Sequence, residues 1–138
     1  MRRLHTVDDG ERSRLQAQLA TELEADPAVA FAYLYGSFVE ARPFHDVDVG
    51  VYLRAPQSPG AGSADLAMAQ RLSERIGFPV DVRVLNAAPV SFRYHALRGR
   101  LLVCRDDDLL ARVMEDTIRR YLDMAPLLRR STKEAFAE

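Results

Sequence analysis

The sequence predicts an α/β (α+β) domain in which a small sheet of about four strands is flanked by helices. Short apolar segments rich in valine and aromatic residues alternate along the chain with longer segments of helical periodicity. A chain of 138 residues is long enough for one domain with one hydrophobic core. No repeat, low-complexity segment or long linker divides it. We therefore expect residues 1–138 to form a single domain whose polar end, after about residue 130, frays.

The predicted helices are recognised by the spacing of their apolar residues and by capping and breaking residues. The first covers residues 6–25, with Thr6 or Asp8 as its N-cap. Its inner face carries leucines four residues apart, namely Leu15, Leu19 and Leu23. Later helices are predicted over residues 64–76, over residues 89–97 and from a cap at Asp106 or Asp107 to Tyr121. We expect Pro126 to break or restart the last of them.

The four predicted strands cover residues 29–35, 47–53, 80–85 and 101–105. The first is apolar and aromatic along its whole length, which is typical of a buried strand. In the second and third strands, successive side chains point to opposite faces of the sheet. One face of these two strands carries the valines Val47, Val49, Val51, Val80, Val82 and Val84. The other face carries Asp46, Asp48, Gly50 and Tyr52 on the second strand and Asp81, Arg83 and Leu85 on the third.

Composition and charge argue against several classes of protein. The chain is 48% hydrophobic and 28% charged, and its net charge of −1 gives no reason to expect binding to DNA or to a membrane surface. No apolar run approaches the roughly 20 residues of a membrane span. The basic N-terminus is not followed by an apolar stretch, so we do not expect it to be a signal peptide. The single cysteine, Cys104, cannot form an internal disulfide. It suits a reducing compartment, so we expect a cytoplasmic protein.

Three aspartates on the polar face of the predicted sheet form a first candidate site. Asp46 and Asp48 are two residues apart on one strand, so their side chains point to the same face. If the strand that carries Asp81 lies beside it, three carboxylates gather, and their mutual repulsion favours a bound cation. Such oxygen donors suit Mg²⁺. Two of these ions roughly 3.5–4 Å apart can stabilise both the attacking and the leaving oxygen of a phosphoryl displacement.

Gly36 and Ser37, directly after the first strand, form a second candidate site. The glycine permits a close approach of the backbone to a phosphate, and it interrupts the strand so that a short helical turn can begin. A serine hydroxyl and the exposed N–H groups at the start of such a turn bind phosphate oxygens. The sequence has no Gly-rich P-loop with Lys, no zinc pattern and no nucleophile elbow.

Together these motifs resemble the DNA polymerase β-like nucleotidyltransferase superfamily. The shared pattern is Gly36-Ser37, then Asp46-Val47-Asp48 on the next strand, then Asp81 on a later one. The short chain resembles the minimal nucleotidyltransferases of that superfamily, although its gap of eight residues between the first two motifs is shorter than in many of them. The resemblance extends over residues 29–85, and residues 115–128 are similar to the closing helix. It implies a small mixed sheet flanked by helices.

The resemblance also implies the roles of these residues. In that family the two strand aspartates and the third carboxylate bind Mg²⁺, and the Gly-Ser turn holds the triphosphate of a nucleotide. Carried over, Asp46, Asp48 and Asp81 are catalytic residues and ligands of two Mg²⁺ ions. Gly36 and Ser37 bind the phosphates of ATP, and Asp81 doubles as the base for an acceptor hydroxyl. The implied reaction transfers NMP, with AMP from ATP as the expected case, and releases pyrophosphate.

A partner follows from the same resemblance. Minimal nucleotidyltransferases commonly act as antitoxins beside a HEPN-domain ribonuclease toxin, which they bind and adenylylate on a tyrosine near its active site. We therefore expect a hetero-oligomer with such a toxin. Two alternatives stay open: an antitoxin that caps its toxin without turnover, and nucleotidyl transfer to a small hydroxylated molecule such as an aminoglycoside.

Other polar residues near these motifs have simpler interpretations. His45 adjoins the acidic pair, and we interpret it as a solvated loop residue. His95, Arg98 and Arg100 are interpreted as a solvated helix face, with contact to a phosphate or to a partner RNA as the alternative. The acidic run at residues 106–108 is interpreted as a helix cap. The roles that stay open are a nucleotide contact by Arg42, which with Glu40 flanks the Gly-Ser turn, and base stacking by Tyr52.

Overall fold

The computed structural model describes residues 3–55 and 64–135, and in the last helix it describes side chains up to Met124 and at Pro126. Most of the predicted loop at residues 54–63 therefore lies outside the described residues. The elements follow one another as α1 (Asp9–Glu24), β1 (Val29–Tyr35), β2 (Val47–Leu53), α2 (Ala64–Ile76), β3 (Val80–Val84), α3 (Val90–Leu97), β4 (Arg100–Cys104) and α4 (Asp107–Ala135). This order confirms the predicted α/β (α+β) class.

The four strands form one mixed sheet in the order β3-β2-β1-β4. β1 pairs antiparallel with both β2 and β4, whereas β2 and β3 run parallel. Parallel neighbours need a long crossover, and α2 lies within the segment that joins β2 to β3. β1 is an inner strand and is buried at all of its positions, as its uninterrupted apolar sequence predicts.

Different helices cover the two faces of the sheet. On the valine face, the buried valines of β2 and β3 form one cluster with residues of α1 and α2. The helical members of that cluster are Leu15, Leu19, Leu23, Met68, Leu72 and Ile76. On the opposite face, which we call the aspartate face, aromatic residues of β1 pack with α3 and α4. The members of this second cluster include Phe31, Tyr33, Tyr35, Leu85, Ala96, Leu97 and Val113.

Helix ends agree with the sequence at α1 and α2. The carboxylate of Asp8 accepts a hydrogen bond of 2.8 Å from the backbone N–H of Glu11, so Asp8 is the cap of α1. Gly77 ends α2 in the left-handed conformation, with φ +80°, and its N–H donates to the carbonyl of Ser73 at 2.9 Å. No helix in the described ranges combines the length and the apolarity needed to cross a membrane.

The predicted break at Pro126 is wrong, because α4 continues through this residue to Ala135. A proline inside a helix has no N–H to donate, which leaves the carbonyl four residues earlier, that of Leu122, without its usual partner. Leu122 and Pro126 are both exposed, so water can bond that carbonyl and the helix can continue.

Candidate active site

The parallel pairing of β2 and β3 places two of the predicted aspartates side by side. Asp48 lies opposite Asp81, and the valines of the two strands pair in the same register. Alternation along the strands then puts both aspartates on the face opposite to the valines. Asp46 immediately precedes β2, two residues before Asp48, and all three aspartate side chains are partly exposed.

Asp81 is held by an arginine of its own strand. Arg83 Nε lies 3.4 Å from Asp81 Oδ2, and Arg83 Cζ lies 5.7 Å from the centroid of the Phe92 ring. The Arg83 and Asp81 side chains are 60% and 44% exposed, so this ion pair contributes little to the stability of the fold.

The carboxylate donors have the chemistry that Mg²⁺ prefers. Within residues 3–55 and 64–135, however, no three His, Cys, Asp or Glu side chains converge closely enough to hold a metal ion. Metal binding by Asp46, Asp48 and Asp81 therefore stays a prediction. Arg83 lies against Oδ2 of Asp81 and would compete with a metal cation for that oxygen.

Gly36 connects the predicted phosphate-binding turn to the predicted metal ligands. Tyr35 pairs with Asp48 across β1 and β2, and Gly36 follows directly at the end of β1. Its φ of +85° lies in the left-handed region, which favours glycine. A Cβ added at Gly36 would overlap Oδ2 of Asp48. Glycine is thus required here both by the backbone conformation and by the close contact with the carboxylate.

A helical turn follows Gly36 and carries Ser37, as the sequence predicts. The carbonyl of Gly36 accepts a hydrogen bond from the N–H of Glu40 at 3.2 Å, and the carbonyl of Ser37 accepts one from the N–H of Arg42 at 3.0 Å. The fully buried Phe38 fixes the turn to the core. Ser37 is partly exposed at the start of the turn, where the first N–H groups have no partners within it.

Tyr35 is a site residue that the sequence did not reveal. Burial is the first cause that raises the pKa of its phenol, and the negative charges of Asp48 and Asp81 raise it further, while Arg83 partly opposes them. Tyr35 therefore stays protonated beside the two carboxylates. The apolar run that contains it suggested a core residue, and its position opposite Asp48 depends on the register between β1 and β2, which no local pattern shows.

A cleft of about 340 Å³ opens beside the turn, and we call it the Gly36 cleft. Tyr35, Gly36 and Glu40 line it from the end of β1, while His95, Arg98 and Gly99 line it from the end of α3 and the loop into β4. Its volume is within the range of small-molecule sites, roughly 300–1,000 Å³. His95 and Arg98 are exposed, as predicted, but they face this cleft rather than open solvent alone.

The remaining polar residues singled out in the sequence have other contacts. Nδ1 of the exposed His45 lies 3.0 Å from a backbone carbonyl near the N-terminus. Tyr52 stacks on a buried phenylalanine of β1, with ring centroids 5.0 Å apart. Arg42 forms an ion pair with Glu40. Asp106 accepts a hydrogen bond of 3.0 Å from a backbone N–H in the first turn of α4, which confirms its interpretation as a cap.

Several solved structures resemble this fold. One is the complex of the tri-AMPylated Shewanella oneidensis HEPN toxin with its MNT antitoxin, with a TM-score of 0.70 and 17% identity over 90% of this chain and 98% of that chain. Another is the toxin–antitoxin complex MntA-HepT, with a TM-score of 0.69 and 16% identity over 89% of this chain and 97% of that chain. A third is a toxin–antitoxin complex with AMP-PNP, with a TM-score of 0.66 and 17% identity over 94% of this chain and 98% of that chain. At these identities the likeness shows the fold alone.

A comparison with curated protein sequences finds no match. The sequence model of the family described as polymerase beta, nucleotidyltransferase, matches residues 17–108, which is more than half of the chain. The matched range extends from α1 to the start of α4, and it contains Gly36, Ser37, Asp46, Asp48 and Asp81. The chain therefore belongs to the polymerase beta nucleotidyltransferase family.

Proposed function

We propose that this protein is a Mg²⁺-dependent nucleotidyltransferase that transfers AMP from ATP to a tyrosine hydroxyl of a HEPN ribonuclease toxin and so acts as its antitoxin. The observation that carries the proposal is the contact of Gly36 with Asp48, which in turn lies opposite Asp81. Family membership supports the class of reaction. The structural neighbours, which include a complex with a tri-AMPylated HEPN toxin and a complex with AMP-PNP, support the choice of acceptor and nucleotide.

The turn after β1 is the proposed binding site for the triphosphate. Gly36 lets the backbone approach the phosphate chain closely, since it has no side chain. The first N–H groups of the turn, which have no partners within it, and the hydroxyl of Ser37 are suitable donors to phosphate oxygens. Because Gly36 lies against Asp48, phosphates bound at this turn are next to the aspartate face.

Asp46, Asp48 and Asp81 are the residues that would hold Mg²⁺, with two ions as the expected number. When bound, the metal neutralises charge on the triphosphate and on the attacking and leaving oxygens. In the transfer, the tyrosine oxygen forms a bond to the α-phosphorus, the bond from that phosphorus to the bridging oxygen breaks, and pyrophosphate leaves. Asp81 takes the proton of the acceptor hydroxyl. Tyr35 remains protonated because its pKa is raised, so it serves as a hydrogen-bond donor and not as a base.

One observation favours a second candidate, an antitoxin that caps its toxin without turnover. Asp81 is paired with Arg83, and the described side chains include no cluster of three metal-binding groups. In a capping protein this arrangement is permanent, whereas in the enzyme it changes when the metal and the nucleotide bind. In both cases we place the protein in the cytoplasm, where the lone Cys104 stays reduced.

The deciding experiment uses ATP labelled at the α-phosphate, Mg²⁺ and a candidate HEPN partner. The intact protein is compared with the double variant Asp46→Ala/Asp48→Ala and with a control, Asp107→Asn/Asp108→Asn, which removes two exposed acidic groups from the first turn of α4. We expect label on the partner with the intact protein and with the control only. Kanamycin, included as a small-molecule acceptor, should remain unlabelled.

Each other outcome has a definite meaning. Absence of label on the partner, together with tight stoichiometric binding by the intact protein and the double variant alike, would establish the capping antitoxin. Label on kanamycin but not on the partner would show that the protein transfers the nucleotide to small hydroxylated molecules. Label on the partner with the Asp46→Ala/Asp48→Ala variant would show that neither aspartate is required for transfer.

A further inference from the structure

Arg98 lines the Gly36 cleft together with His95 and Gly99, and it also lines a neighbouring apolar cavity beside Tyr94. Its guanidinium lies over the Tyr94 ring, with Cζ 5.5 Å from the ring centroid. In the part of the chain that the structure describes, Arg98 forms no ion pair with a carboxylate, and its side chain is exposed. An arginine in a cleft, stacked on one ring and not neutralised by a described acidic group, is suited to binding an anion.

The backbone of Arg98 is fixed relative to Gly36. Gly99 packs so closely on the end of β1 that a Cβ at this residue would overlap the carbonyl oxygen of Leu34. The next residue, Arg100, pairs with Leu34 in the ladder between β1 and β4. β1 therefore carries Gly36 at its end and holds the loop of Arg98 against the same end. The two walls of the cleft belong to one rigid unit of the sheet.

The charges around the cleft show what Arg98 can bind. Glu40, an acidic residue that lines the cleft, is already paired with Arg42. The residues assigned to the metal, Asp48 and Asp81, are anionic, so they repel a triphosphate unless a cation offsets them. Arg98 supplies a fixed positive charge, and its planar fork matches two phosphate oxygens at once.

We propose that Arg98 is a further nucleotide-binding residue, whose guanidinium clamps the terminal phosphates of the nucleoside triphosphate across the Gly36 cleft from Gly36 and Ser37. This inference rests on the proposed nucleotidyl transfer and adds a specific contact to it. The terminal phosphates leave as pyrophosphate, and negative charge grows on them as the bond to the α-phosphorus breaks. A guanidinium at that position stabilises the transition state more than the bound substrate. Arg98 then affects the rate of transfer as well as the affinity for ATP.

Isothermal titration calorimetry of the full chain tests this inference, with Mg²⁺–ATP, tripolyphosphate and adenosine as separate probes. The variants are Arg98→Ala, Arg98→Lys and the control Arg112→Ala, an exposed arginine of α4 outside the cleft. Loss of a charged hydrogen-bonding group predicts that Arg98→Ala weakens the binding of Mg²⁺–ATP and of tripolyphosphate by about ten- to a hundredfold. Arg98→Lys should show a smaller loss, and Arg112→Ala none. Affinity for adenosine should not change in any variant.

The outcomes separate this inference from the function on which it rests. If Arg98→Ala binds Mg²⁺–ATP as well as the intact protein does, Arg98 is not a phosphate ligand, while the proposed function still stands. If adenosine binding weakens by the same factor as ATP binding, the substitution has changed the shape of the cleft and not a phosphate contact. If the intact protein binds no nucleotide with Mg²⁺ present, the nucleotidyl transfer itself is overturned, and this inference with it. Thermal unfolding followed by circular dichroism verifies that each variant is folded.

Discussion

The two faces of this sheet are made by the same strands, yet they serve different purposes. On the valine face, fully buried side chains such as Val47, Val49 and Val51 pack against α1 and α2. On the aspartate face, partly exposed Asp48 and Asp81 lie near the Gly36 cleft. Neighbouring residues of one strand thus belong to the core or to the site according to their position in the alternation. Stability and chemistry are therefore separable by substitutions at adjacent positions.

The two faces also differ in the charges that β2 and β3 carry. Asp48 and Asp81 are like charges directly opposite each other on adjacent strands, an arrangement that destabilises a sheet. The valine face offsets this cost with uninterrupted hydrophobic burial. Truncating a buried valine should therefore destabilise the fold, whereas replacing a carboxylate of the aspartate face should change its stability much less.

Gly36→Ala should have the largest effect, because this residue contacts the candidate site and also adopts a left-handed backbone. The new Cβ overlaps the carboxylate of Asp48 and forces it to move. We expect transfer to fall by about a hundredfold or more, as when a group that stabilises the transition state is lost. We also expect the free energy of unfolding to fall by more than the roughly 1–2 kcal/mol of backbone strain. Initial rates with labelled ATP and urea denaturation measure the two effects.

Gly77→Ala is the matched control for that variant. Gly77 has a φ of +80°, close to that of Gly36, but a Cβ there meets no atom within 4 Å. The Gly77→Ala variant should be destabilised only by the backbone strain, and it should keep its activity. Equal losses of activity in the two variants would mean that the contact between Gly36 and Asp48 is irrelevant to function.

Val49→Ala tests how much the valine face contributes to stability without altering the aspartate face. Val49 is fully buried, so the substitution leaves a cavity in the cluster shared with α1 and α2. The free energy of unfolding should fall by about 2–3 kcal/mol, and transfer at a temperature where the variant is folded should change little. Urea denaturation gives the first quantity, and a loss of catalysis in fully folded protein would contradict the separation of the two faces.

Asp48→Asn, one residue away, should give the opposite result. The amide has the shape of the carboxylate but not its charge, which removes the repulsion towards Asp81. We expect the unfolding free energy to change by less than about 1 kcal/mol. Transfer should fall by about a hundredfold or more, since one charged group of the candidate site is lost. A variant that is destabilised yet active would reverse our assignment of this face.

The pH dependence of the unfolding free energy tests the environment of Tyr35. Its pKa in the folded protein is raised above the ordinary value of 10.0, first by burial and then by the charges of Asp48 and Asp81. The folded state therefore holds this proton more tightly than the unfolded chain, so the contribution to stability is complete below pH 10 and is lost as the pH rises further. Urea denaturation below and above this pH should show a smaller decline for Tyr35→Phe than for the intact protein. Parallel declines would show that the pKa of Tyr35 is not raised in the folded protein.

Arg83→Gln should have the smallest effect. Without the arginine, Asp81 no longer has a competing cation, and binding of Mg²⁺ should strengthen by about two- to fivefold, as expected for an exposed ion pair worth up to about 1 kcal/mol. Arg71→Gln is the control, because Arg71 pairs with Asp26 away from the site. Calorimetric titration with Mg²⁺ measures both. Weaker binding in Arg83→Gln would show that the arginine supports the site and does not compete in it.

The elements and faces of this fold follow from local patterns in the sequence. Alternation of valine and aspartate determines which way each residue of β2 and β3 points, because the period of a strand is two. The capping role of Asp8 and the end of α2 at Gly77 depend on near neighbours alone. These features could be predicted since every interaction that decides them lies within a few residues.

The parts that could not be predicted depend on contacts between distant segments. Tyr35 and Arg98 meet at one cleft because β4 pairs with β1, and that register is not visible in either segment by itself. Arg83 pairs with Asp81 and would compete with the predicted metal, and a list of acidic residues does not reveal this arginine. The continuation of α4 through Pro126 depends on solvent access to one turn, which overrides the local preference.

The register between β2 and β3 also has a consequence for errors in folding. A slip of one residue would turn Val47, Val49 and Val51 to the wrong face and destroy the core. A slip of two residues would keep the valines inside, but it would lose the bonds that close both ends of the pairing, from Val47 N–H to Pro79 and from Leu85 N–H to Val51. A chain with misaligned carboxylates is therefore also a poorly folded chain, which cellular proteases remove. Removal of misfolded chains therefore also removes chains whose active-site carboxylates are misaligned.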